Sequence, residues 1–163
     1  MAKIYRQGAT GALLDEYERA IADLKNIIED IPDDALAVIV EPTTTDENCT
    51  SVQTILSHVV NSGYGYATSI NNLKGPAMVR PGKIFHTTIK EYLDDLTSVF
   101  SFTENIFSKF KDDELEQFDD SLKMKTGWGQ LYDIEQLTEH AIVHILRHRR
   151  QIEKFKIIIH GMK

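Results

Sequence analysis

The sequence has a single cysteine, Cys49, so no disulfide can form within the chain. That absence argues against a small disulfide-stapled secreted fold and suits a reducing compartment, most simply the cytoplasm. One thiol with no base beside it is read as an unreactive cysteine. Long hydrophobic runs are missing too. The longest strictly apolar stretch is ALAVIV, Ala35 to Val40, far too short to cross a bilayer. The first residues, MAKIYRQGATGALLDEYERA, hold no apolar core of a signal peptide. Positive charge is in deficit: 18 Lys and Arg stand against 25 Asp and Glu, a formal net charge of −7. A nucleic-acid partner needs a positive footprint, and so does attraction to an anionic membrane, so neither is expected.

Several catalytic signatures are also absent. There is no HExxH, no Glu-x-x-His, no CxxC and no Walker-type glycine loop. GYGYAT, Gly63 to Thr68, is no dinucleotide fingerprint, because it falls inside a helical pattern rather than after a strand.

What is present is helical periodicity. Apolar residues recur at helix spacing in four windows. The first runs from Leu14 through Tyr17, Ile21, Leu24 and Ile28 to Ile31 and ends at Pro32. The second runs from Val52 to Leu73, with Thr50 or Ser51 as its N-cap, and "KGP" stops it. The third extends from Ile89 to Phe110, and the fourth from Ile134 to Ile159 behind an Asp133 cap. Strand signals are confined to ALAVIV and to KMKTGWGQLY, Lys123 to Tyr132. The expected fold is all-α: one domain over residues 1–163, a four-helix bundle with long inter-helix connections. KDDELEQFDD, residues 111–120, reads as a solvated loop.

Histidine is unevenly placed. Three of the six, His140, His144 and His148, follow at four-residue intervals in EHAIVHILRHRRQIEKF. At 100° per residue, His148 lies about 20° from the centre of the apolar stripe, His144 about 60° and His140 about 100°. His144 and His148 therefore project inward one turn apart, with Cβ atoms roughly 6 Å apart, close enough to chelate one ion. His58, on the edge of the second helix, is the best third ligand that geometry offers; His86 falls at a helix start and His160 in the tail. Inward histidines are also found simply packed and hydrogen-bonded, so both the metal reading and the core reading stand at this point. His140 reads as a solvated residue or one beside the site. Tyr64 and Tyr66 are candidates to line a pocket, and Trp128 and Gln130 to form a lid. The cations Arg147, Arg149, Arg150, Lys154 and Lys156 form either a solvated face at the helix C-terminus or an anion site.

Two segments carry a family resemblance. SVQTILSHVVNSGYGYA, Ser51 to Ala67, is similar to the second helix of the DinB/YfiT-like family, where a lone His precedes an aromatic residue. EQLTEHAIVHILRHRRQIEKF is similar to its last helix, where HxxxH runs into Gln and an apolar residue. The resemblance implies a four-helix bundle, a homodimer, and three histidines holding a divalent metal such as nickel or zinc. On the motif positions these are His58, His144 and His148. It also implies a small-molecule substrate and low-molecular-weight thiol chemistry, as in the family's transferases and isomerase. The family's frequent His-Arg-Gly-Gln reads HRRQ here, with Arg149 in place of Gly. Three readings follow: a metal-dependent S-transferase or hydrolase, with Tyr66 and His140 as substrate-binding candidates; a non-catalytic metal-binding module; and a metal-free helical dimer or interaction module.

Overall fold

The computed structural model describes residues 4–162. Four helices dominate: α1 (Gly8–Ile28), α2 (Val52–Asn71), α3 (Ile89–Phe107) and α4 (Ile134–Gly161). A two-stranded antiparallel hairpin, β1 (Met124–Lys125) and β2 (Leu131–Tyr132), precedes α4.

Local chemistry explains where the helices start. Ser51, Thr88 and Asp133 each accept from the backbone N–H three residues on, and Thr54, Glu91 and Gln136 reciprocate as capping boxes. Gln7 offers α1 no such cap. Asp112 does so from across the molecule, accepting from the N–H groups of Ala9 and Thr10 at 3.0 and 2.9 Å. The acidic 111–120 segment is therefore more than a solvated loop, and its Leu115 is 1% exposed.

The helix ends differ from the periodicity. Helices α1 and α3 stop at Ile28 and Phe107, three residues short of Ile31 and Phe110. In both cases the later residue turns its N–H back to the last helical carbonyl, Ile31 to Ile28 and Phe110 to Phe107. That tight turn still carries the apolar side chain into the core, so burial mimics one more turn of helix. ALAVIV forms no strand: it holds the end of a 3₁₀ turn (Asp33–Ala35) and a coil whose Ala35 and Leu36 are buried.

Helix α1 packs on α3 and α4, and α2 packs on the same two, so α1 and α2 stand on a diagonal. Ser57 meets Tyr92, Gly63 faces Val99 and Asn71 meets Lys109, so α2 and α3 run parallel. His58 meets His144 and His148 while Tyr66 meets His140, so α2 and α4 run antiparallel. A parallel neighbour requires the chain to return along the bundle, and residues 72–88 do this as a strap on the outside of α2. Asn71 and Asn72 donate to the carbonyls of Pro76 and Met78, Asn61 to Pro81 and Gln53 to His86. One apolar cluster, including Leu24, Ile28, Ile55, Leu96, Phe107 and Phe155, joins all four helices. Each such residue contributes about 1.5–3 kcal/mol through burial. No helix among the described residues is long and apolar enough to cross a membrane.

Candidate metal centre

Helix α4 presents His144 and His148 on one face, and α2 presents His58 against them. The Nε2 atoms of His58 and His144 are 2.9 Å apart, and those of His144 and His148 are 3.2 Å apart. One ligating nitrogen from each of the three lies within 4.8 Å of the others. The His148 Nδ1–H donates to Gln151 Oε1 at 3.0 Å, which turns a bare Nε2 lone pair toward the cluster. A proton on His144 Nε2 relieves one of the close nitrogen contacts, whereas a cation at the centre relieves all of them. The donor set fits a borderline divalent ion such as zinc or nickel.

The electrostatics favour the ligand-competent form. Burial, then the charge His148 would carry, pushes the His58 pKa down to about 4. Burial, then the neighbouring histidines, pushes His144 down to about 3, and burial lowers His148 as well. All three are neutral at pH 7, as imidazole must be to bind a metal.

The other sequence candidates separate. His140 stays outside the cluster. It stacks on Trp128 with ring centroids 4.5 Å apart and planes at 21°, and the edge of Tyr66 meets both His140 and His144. Tyr66 lines a cavity of about 380 Å³ that opens beside His58. Tyr64, two residues away, points elsewhere and packs on Phe102. Trp128 is in the cavity wall, but Gln130 is not; its Oε1 accepts from the Trp128 indole N–H and the Tyr132 hydroxyl and so fixes the hairpin tip. The hairpin turns through Gly129 at φ +90°, a conformation that favours glycine.

None of the five cations at the basic end of α4 lines the cavity beside His58. Arg149 reaches Asp23 and Glu153, and Lys156 donates to the Ile27 carbonyl and Asp30, so these cations clamp α4 to α1. Arg149, the departure from the HRGQ pattern, thus leaves the cluster untouched. His86 pairs with Asp95 at 2.6 Å, and His160 is exposed. Cys49 is buried beside Asp46, and burial raises its thiol pKa, so it is no ready nucleophile.

The model of the DinB family matches residues 6–154. The chain belongs to the DinB family. No curated protein and no solved structure matches it. The match spans all three clustered histidines and nearly the whole DinB bundle.

Sequence reasoning missed Arg80 and Lys125, which line the same cavity. Neither lies in a periodic segment. One signal was available: Gly65 sits in the middle of α2, where glycine costs about 1 kcal/mol relative to alanine. A Cβ at Gly65 would meet Arg80 Nη1 at 3.0 Å, so the missing side chain lets the guanidinium lie against the helix.

Proposed function

We propose that His58, His144 and His148 bind one divalent metal ion, zinc or nickel, and that this DinB protein is a metal-dependent enzyme acting on a small molecule. The observation that carries the reading is the convergence of three neutral imidazole nitrogens from two helices at the side of a cavity. A bound ion supplies Lewis acidity, which lowers the pKa of a thiol or a water and makes either a nucleophile at neutral pH. The family resemblance favours a low-molecular-weight thiol, giving an S-transferase; water gives a hydrolase. A homodimer, one domain over the chain and a cytoplasmic setting belong to the same proposal.

The chain's own residues do the positioning. Gln151 sets the tautomer of His148. The Ser62 hydroxyl, 3.5 Å from His58 Nδ1, stands where it can do the same for His58. Tyr66 and Trp128 wall the cavity beside His58. Burial raises the Tyr66 phenol pKa, so it stays protonated and able to donate a hydrogen bond near neutral pH.

Elemental analysis of tag-free protein tests the proposal. About one divalent ion per chain in the wild type and almost none in His148→Ala is the expected result. No stoichiometric metal after incubation with zinc, nickel or manganese near pH 7 would sink it. Turnover of thiol and ester substrates then separates an enzyme from a binding module.

A further inference from the structure

The cavity beside His58 has a charge character opposite to that of the chain. Its wall contains Arg80 and Lys125 and no aspartate or glutamate, although acids outnumber bases 25 to 18 overall. Arg80 comes from the strap and Lys125 from the hairpin, two segments brought together only by folding. Neither makes an ion pair with any described residue, and no acidic side chain stands in the wall to compete for them. The same wall holds the Trp128 and Tyr66 rings and apolar Met124 and Leu137. At about 380 Å³ the space suits a small organic molecule.

We infer that this cavity binds a small organic carboxylate, its anionic end held by Arg80 and Lys125, its body against Trp128 and Tyr66, and its other end at His58. A guanidinium matches a carboxylate with two parallel hydrogen bonds. Gly65 completes the device. The helix forgoes a side chain there, and the vacated space is where Arg80 lies. The inference deepens the proposed function by naming the substrate class, and it rests on that reading only for what happens at His58.

Trp128 is the only tryptophan, so its indole N–H gives one assignable NMR resonance inside the site. Benzoate is titrated against its neutral isostere benzamide in wild type, Arg80→Gln, Lys125→Gln and Gly65→Ala. Arg80 and Lys125 are exposed, so folding is not at issue for the glutamine variants. The expected result is a saturable shift with benzoate at a concentration at least tenfold below that needed for benzamide. Arg80→Gln and Lys125→Gln each weaken benzoate at least fivefold and leave benzamide unchanged. Gly65→Ala weakens benzoate too, because the new methyl displaces the guanidinium. Equal response to the two probes, no shift with either, or a benzoate shift indifferent to Arg80 overturns the inference. Metal content, measured on the same samples, keeps the two readings apart. A bound ion with an Arg80-independent shift removes the carboxylate site alone; no ion with an intact Arg80-dependent shift removes the metal centre alone.

Discussion

At the scale of single residues, the histidines divide by what their second nitrogen touches. His148 has a fixed tautomer because Gln151 accepts its Nδ1–H. Replacing Gln151 by Leu keeps the bulk and removes the acceptor. Metal affinity is expected to fall about 10–100-fold, measured by competition with a chromophoric chelator. An unchanged affinity would show that packing alone orients the ring. Thr68 offers a second test. It is 7% exposed, and its hydroxyl has no hydrogen-bond partner. Valine has the same shape without the unsatisfied group, so Thr68→Val is expected to raise unfolding stability by about 1 kcal/mol in urea titration. A loss of that size would reveal a partner for the hydroxyl. The inward pair His144 and His148 was legible from spacing, because a helix places residues four apart on one face. Arg80 was not, since an irregular strap has no period from which to read direction.

At the scale of elements, the two glycines of α2 make opposite predictions. A Cβ at Gly63 would meet Val99 Cγ2 at 2.9 Å, in the packed seam with α3. Gly63→Ala is expected to destabilise by about 1–3 kcal/mol through overpacking. At Gly65 the neighbour is the far end of a flexible side chain, which can move. Gly65→Ala is expected to stabilise by up to about 1 kcal/mol through helix propensity. Thermal unfolding of the pair decides; alanines that shift stability in the same direction would refute the distinction. The four helices were readable because each buries a stripe, and Ser51 and Asp133 marked two starts. The ends were less readable. Ile31 and Phe110 fit the helical period yet lie in turns, because a tight turn buries an apolar side chain as well as a helix does. The parallel run of α2 and α3 left no trace in the pattern, since periodicity fixes faces and not directions.

At the scale of the molecule, protons and the proposed metal compete for the same three side chains. In the unfolded chain each imidazole titrates near its ordinary value of about 6.5. In the folded, metal-free protein burial holds His58 at about 4 and His144 at about 3. The unfolded state therefore takes up protons first as pH falls. The stability these residues contribute is complete above about pH 6.5 and is lost progressively down to about pH 3. Urea midpoints of the metal-free protein at pH 7, 5.5 and 4.5 should fall faster in wild type than in His58→Gln/His144→Gln; parallel curves would contradict the shifts. Metal acts in the opposite direction. An ion at 100 times its dissociation constant adds about 2.7 kcal/mol, so chelator should lower the melting temperature of wild type and leave His148→Ala unmoved.

The separation of α2 and α4 along the chain also sets a clock. His58 comes off the ribosome before its two partners, which follow 86 and 90 residues later. At a synthesis rate of about 5–20 residues per second, that interval lasts several seconds. During it the growing chain has one imidazole of the three and no more grip on an ion than any surface histidine. On the proposed function, loading waits for a chain translated past residue 148, because a polypeptide cut short before α4 lacks two of the three ligands.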